Sequence, residues 1–140
     1  MSYLDNYKIL NFIESGDTRG RLVVAEGNVD IPFNIERVFY IYGSDSSVAR
    51  GKHANRKSEF VLINVAGTSK VKMTDGKKEI VINLDKPNMG LYIPKMVWKE
   101  MYDFSENSVL LVLASTHYDN SEYIRNFDEY KKEMESRDTK

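Results

Sequence analysis

The sequence predicts an all-β domain, a barrel or sandwich of short strands, followed by a short C-terminal α-helix. Three observations carry that expectation. Between residues 7 and 114 the chain runs as short stretches rich in Val, Ile, Leu, Phe and Tyr, interrupted by Gly, Asp, Asn, Ser or Pro, which is the texture of many short strands. In the stretch 70–82, Asp75-Gly76 suits a tight turn between Val71, Met73 and Ile80, Ile82, which alternate with polar residues; this is a hairpin with one wet face. After Tyr118 the period changes. Tyr123, Ile124, Phe127, Tyr130 and Met134 recur at helical spacing behind Asn120 or Ser121, either of which can cap an amphipathic helix.

Taken in order, the expected strands are 7–13, 21–25, 37–42, 60–65, 69–74, 79–84, 90–93, 97–104 and 109–114. Nine strands favour a sandwich or barrel. The run 109–114 is the longest aliphatic stretch and reads as a buried strand, far short of the roughly 20 residues that span a bilayer. The C-terminal helix is expected to pack on the outside of the barrel or on a partner subunit, and the charged tail 135–140 is expected to fray. At 140 residues the chain, residues 1–140, fits one domain.

Composition narrows the function classes. Twenty Lys and Arg balance twenty-one Asp and Glu, so there is no basic footprint for nucleic acid. The absence of cysteine excludes disulfides and thiolate metal sites and fits a reducing compartment. Residues 1–11 lack the basic start and apolar stretch of a signal peptide, so a cytoplasmic location and no membrane partner are expected.

Chemistry concentrates in the polar segment 49–59, just before the apolar strand 60–65. In an extended segment residues two apart share a side, so His53 and Asn55, with Gly51, are expected to face one way and furnish a cavity if they face inward. Imidazole is the side chain best suited to exchange a proton near neutral pH, which makes His53 the candidate base. Arg50 can offer a fork of donors to phosphate or carboxylate; Arg56-Lys57 reads as a solvated pair. In the segment 90–101, Tyr92 and Trp98 are core residues by default, although such rings also stack on a base or sugar. Lys99, next to Trp98, points to the opposite side of its strand or sits at a bulge. In 37–42, Phe39 and Ile41 share one face and Val38, Tyr40 and Tyr42 the other; either face can be core. His117, beside Tyr118, reads as a surface or interface residue.

Gly51, His53, Glu59 and Gly67 occupy the places of the first cupin motif. With the segments 30–42, 90–94, 97–98, 100–104, 109–115 and 123–126, the chain resembles the dTDP-4-keto-6-deoxyglucose 3,4-ketoisomerases, the WxcM-like branch of the cupin superfamily, over nearly its whole length. The resemblance implies a cupin-type double-stranded β-helix (jelly-roll barrel), a homodimer with exchanged N-terminal strands, a dTDP-sugar in the barrel and isomerisation without a metal. The products would enter 3-amino-3,6-dideoxy sugar synthesis for surface polysaccharide, lipopolysaccharide or S-layer glycan. It further implies His53 as base or proton shuttle, Asn55 as donor to sugar oxygens, Tyr40 and Arg50 as pocket residues, Lys99 near the sugar, and Arg19 at the diphosphate or sugar. No metal is expected, because His53 and Glu59 alone fall short of three protein ligands. No cofactor is expected either.

Two positions depart from the family. Members typically carry His-Ala-His where this chain has His53-Ala54-Asn55, with the second histidine as the expected base, so that Asn55 removes the group expected to move the proton; they often carry His or Arg in place of Lys99. Asn55 cannot titrate near neutral pH. Either His53 or a tyrosine moves the proton, or the chain acts on another sugar or no longer catalyses, or the residue was engineered to trap ligand. The rival readings are a non-catalytic sugar-nucleotide-binding cupin, a metal-dependent oxygenase or epimerase, and a structural dimer module.

Overall fold

In the computed structural model, which describes residues 2–138, the apolar alternation resolves into antiparallel strands and one helix. In chain order these are β1 (Lys8–Asn11), β2 (Glu14–Asp17), β3 (Gly20–Val23), β4 (Arg37–Tyr42), β5 (Arg50–Asn55), β6 (Phe60–Ala66), β7 (Ser69–Thr74), β8 (Glu79–Leu84), β9 (Met89–Ile93), β10 (Trp98–Tyr102), β11 (Val109–Ala114), β12 (Tyr123–Ile124) and α1 (Phe127–Asp138). One five-stranded sheet has the order β1-β9-β6-β11-β4 and the other β12-β5-β10-β7-β8. Their inner faces meet in the jelly-roll arrangement expected from the sequence. Phe60, Leu62, Leu91, Ile93, Leu110 and Val112 from the first sheet close on Val71, Met73 and Met101 from the second. Each such side chain contributes about 1.5–3 kcal/mol of burial.

The continuous apolar run of β6 follows from burial on both faces. Val61 and Ile63 turn outward and are covered by Phe12, Ile31 and Phe33. The hairpin expected at Asp75-Gly76 is present, with Val71 opposite Ile82 and Met73 opposite Ile80. Gly76 turns at φ +93°, and Asp75 accepts from the Lys77 and Lys78 amides.

The structure departs from the sequence reading in three places. The expected strand 7–13 stops at Asn11, and β2 pairs with β3 as a separate two-stranded hairpin that is exposed along almost its whole length. The segment 49–59, read only as extended, contains the full strand β5. The helix expected behind Asn120 begins at Phe127 instead. Asp119 caps a 3-10 turn over Asn120–Glu122, accepting from Ser121 N, and Tyr123 and Ile124 then pair with Asn55 and Ala54. The buried Glu122 carboxylate fixes this detour, because it accepts from the amides of Lys57 (2.9 Å) and Ser58 (3.0 Å) and from the Ser58 hydroxyl.

Helix α1 covers the outer face of the second sheet, with Tyr130 and Met134 against Ala54, Met96 and Trp98. The Tyr130 hydroxyl reaches the carbonyls of Met96 (2.8 Å) and Thr74 (3.1 Å). Arg56, expected to be solvated, pairs with Glu133 of α1 at 2.9 Å. Helix α1 runs through residues 135–138, and residues 139–140 of the expected tail lie outside the described residues.

Candidate active site

A backbone irregularity in β5 builds the site. Lys99 of β10 pairs with His53, but Met101 pairs with Arg50, so Lys52 is an extra residue and carries φ +54°. Strict alternation would have put Arg50 and His53 on opposite faces; the bulge brings both to the face shared by Lys99 and Met101. Gly51, expected to align with His53, stands opposite Glu100 instead, at φ +87°. A Cβ there would sit 3.0 Å from Met101 Sδ and 3.1 Å from the Lys99 carbonyl.

Between the sheets, toward the β5 end, lies a cavity of about 390 Å³, lined by Arg50, His53, Lys99, Tyr123 and Arg125 among polar groups and by Phe39, Phe60 and Met101 among apolar ones. It is large enough for part of a polar ligand of a few hundred cubic ångströms.

His53 Nδ1 lies 2.9 Å from the Gly51 carbonyl. A carbonyl can only accept, so Nδ1 carries the proton and Nε2 keeps its lone pair. Burial, the Lys99 ammonium and, to a smaller degree, Arg125 push the imidazole down to about 3, so the ring is neutral across the physiological range. Tyr123 packs on the ring at 4.8 Å between centroids.

Behind His53 runs a buried polar chain. Lys99 is 3% exposed, and burial pushes its ammonium down to about 7, against a smaller upward pull from Glu122. Its Nζ donates to Asn55 Oδ1 at 3.1 Å and sits 4.6 Å above the Phe60 ring. Asn55 is 1% exposed, and its Nδ2 has no hydrogen-bond partner of good geometry among the described residues, although it faces Glu122.

The remaining sequence candidates are placed differently. Tyr40 borders the cavity, but its ring lies on the outer face of β4, 62% exposed and stacked on Tyr42; the core face is that of Phe39 and Ile41. Arg19 sits at the tip of the β2–β3 hairpin with its side chain 88% exposed, bound to Asp17, away from the cavity of its own chain. Trp98 packs under α1 against Phe127 and Tyr130, and Tyr92 donates to Glu59 outside the barrel, so neither ring faces the site. Glu59 therefore does not join His53, and among the described residues no group of three His, Asp or Glu could hold a metal; the donor set does not fit one. His117 is exposed and lies 3.1 Å from Glu36.

Sequence reasoning missed Tyr123, Arg125 and Glu122 because their segment reads as helix. The signal was Asp119 two residues before Ser121, an Asx turn that ends a segment as readily as it starts a helix. Arg125 lies over the Tyr123 ring at 4.5 Å, and both side chains line the cavity.

Residues 5–135 match the family described as FdtA: WxcM-like, C-terminal. The chain belongs to this family. It is 46% identical over 125 residues to the TDP-4-oxo-6-deoxy-alpha-D-glucose-3,4-oxoisomerase of Aneurinibacillus thermoaerophilus, covering 89% of this chain and 90% of that protein. Among solved structures, QdtA, a sugar 3,4-ketoisomerase from Thermoanaerobacterium thermosaccharolyticum in complex with TDP, superposes with a TM-score of 0.92 at 44% identity, covering 96% of this chain and 98% of that one. A histidine-to-asparagine variant of the same QdtA in complex with TDP-4-keto-6-deoxyglucose gives a TM-score of 0.91 at 43% identity, covering 94% and 96%. The fold is thus that of the cupin ketoisomerases.

Proposed function

We propose that the chain is a sugar-nucleotide 3,4-ketoisomerase that converts dTDP-4-keto-6-deoxyglucose to a dTDP-3-keto-6-deoxyhexose through an enediol. The observation that carries this reading is His53: a neutral imidazole with Nδ1–H held by the Gly51 carbonyl and a free Nε2 lone pair in a half-buried cavity. The kinship with TDP-sugar oxoisomerases supports the substrate class.

The ketone at C-4 acidifies the hydrogen at C-3. His53 Nε2 takes that proton, and the electron pair forms the C-3–C-4 double bond as O-4 becomes an oxyanion. The hydroxyl proton at O-3 passes to O-4, the imidazolium returns its proton to C-4, and O-3 becomes the carbonyl. Nothing is oxidised or reduced overall, and no cofactor enters the balance. Arg50 and Arg125 in the cavity lining suit the diphosphate, and Lys99, held from behind by Asn55, lies in the wall where the sugar would stand. The chemistry does not require a titratable group at position 55, which removes the motive for a non-catalytic reading.

The finer expectations belong here as well. A homodimer with exchanged N-terminal strands is supported by the isolated β2–β3 hairpin, whose Leu22 is exposed, and by the exposed Val38, Tyr40 and Tyr42 on β4 at the free edge of its sheet. Such an exchange would carry Arg19 toward the partner's cavity and cover Tyr40. Among the described residues no helix is long and apolar enough to cross a membrane, and a nucleotide-sugar substrate suits a cytoplasmic enzyme of surface-polysaccharide synthesis.

The test is turnover: purified protein is mixed with dTDP-4-keto-6-deoxyglucose and followed by NMR for a 3-keto sugar. Appearance of that product is expected; saturable binding with no new sugar would contradict the reading.

A further inference from the structure

We propose that Asn55 is a positioning residue whose Oδ1 holds the Lys99 ammonium at the cavity wall, so that the two remaining N–H groups of Lys99 meet the sugar oxygen that becomes negative when His53 removes a proton. The inference rests on the ketoisomerase reading above and assigns position 55 a task other than proton transfer.

An ammonium has three donors. Among the described residues Lys99 spends one, on Asn55 Oδ1 at 3.1 Å, and sets its charge against the face of Phe60. Among the described residues no carboxylate lies at ion-pair distance from it, although the group is 3% exposed and lines the cavity. A buried cation left this way is costly, and an oxyanion arriving beside it removes much of that cost. The gain is largest when the negative charge is largest, which is in the transition state and enediolate rather than in the ketone. The titratable and charged groups facing Lys99 are Arg50 and the neutral His53 from β5 and Glu122 and Arg125 from the segment 122–125; on β7, Lys70 and Lys72 are spent outside the cavity, on Asp103 and on Glu79 and Glu100.

Position 55 therefore needs an acceptor toward Lys99 and a donor toward Glu122. The amide supplies both when Oδ1 faces Lys99 and Nδ2 faces Glu122. A neutral imidazole supplies both too, one ring nitrogen accepting and the other donating. An alanine supplies neither. The lack of a titratable group at 55 is then no lesion.

The experiment is a double-mutant cycle on the full chain with two readouts: kcat and KM for dTDP-4-keto-6-deoxyglucose, and the titration of the Lys99 side chain by NMR of protein carrying 13C-lysine, assigned with Lys99→Met. Lys99→Met is expected to lower kcat about a hundredfold or more. Asn55→Ala is expected to lower kcat about tenfold, with KM changed less, and to move the Lys99 titration to lower pH because the ammonium loses its acceptor. The double variant should be no worse than Lys99→Met alone. Asn55→His should stay within about threefold of the starting enzyme, since the acceptor and donor pattern is kept. Asn55→Leu, which fills the same space but likewise removes the acceptor, replaces Asn55→Ala, with the same expected outcomes, if melting curves show that the alanine variant does not fold. The proposal is overturned if the two single losses multiply, if the Lys99 titration ignores Asn55, or if Asn55→His raises kcat tenfold or more, which would mean that the site lacks a base. If the unaltered protein binds the sugar but never turns it over, the ketoisomerase reading fails by itself, and the Lys99 titration still decides the contact.

Discussion

Replacing Glu122 by alanine tests how the site is held together. The carboxylate is 3% exposed and serves the amides of Lys57 and Ser58 at 2.9 and 3.0 Å and the Ser58 hydroxyl. Burial alone would push its pKa up, but the hydrogen bonds from the Ser58 hydroxyl, the Ser58 amide and the Lys57 amide outweigh burial and hold the carboxyl below its usual value. Each donor left buried without a partner costs about 1–3 kcal/mol, and relief of the carboxylate's own desolvation offsets part of it; the expected net loss is about 3–5 kcal/mol. For a chain of this size that corresponds to a drop in Tm of roughly 10–15 °C. The same segment carries Tyr123 and Arg125 into the cavity, so affinity for dTDP should fall with stability, and Glu122→Gln, which keeps one acceptor oxygen, should lose less of both. Thermal unfolding at pH 7 with and without dTDP measures the two effects. A Glu122→Ala protein melting within about 2 °C of the parent with unchanged dTDP affinity would refute the role given to this carboxylate.

Four further outcomes follow from the structure. Tyr130→Phe removes the hydroxyl shared by the Met96 and Thr74 carbonyls and should cost about 1–2 kcal/mol in urea unfolding while leaving kcat nearly unchanged. Lys99 is held at about 7 in the folded protein, below its value in the unfolded chain, so between those values the unfolded chain binds the extra proton and stability should rise with pH. Denaturation midpoints from pH 6 to 10 should show this rise in the parent and a flatter curve in Lys99→Met. For His53, also lower when folded, stability should fall as pH drops from the usual histidine range toward 3, a slope that His53→Asn should lessen. Gly51→Ala places a Cβ against Met101 and the Lys99 carbonyl at φ +87° and disturbs the acceptor of His53 Nδ1; a loss of about 1–3 kcal/mol, accompanied by a loss of kcat, is expected from calorimetry and the product assay.

Much of the fold was legible because strand alternation and turn residues are local. The β7–β8 hairpin and the buried β11 follow from periodicity alone. The site was legible only in part, since its geometry rests on non-local choices. A bulge at Lys52 needs positive φ at a residue with no preference for it, so alternation could not tell that Arg50 joins His53. Tyr123, Ile124, Phe127, Tyr130 and Met134 keep helical spacing, yet two of them pair with β5 because Glu122 finds three donors there. Either face of β4 could have been core, and only the closing of Phe39 onto Phe60 decided against Tyr40. Arg19 belongs to a hairpin that stays exposed along almost its whole length, a fact that strand propensity does not contain.

The most direct measurement of the central claim is solvent deuterium entering the sugar ring when dTDP-4-keto-6-deoxyglucose is incubated in deuterium oxide with the parent protein and with His53→Asn. Deuterium at C-3 or C-4 together with a 3-keto sugar for the parent, and neither for His53→Asn, is the expected result. Exchange that persists at the parent's rate in His53→Asn would contradict the assignment of His53 as the base.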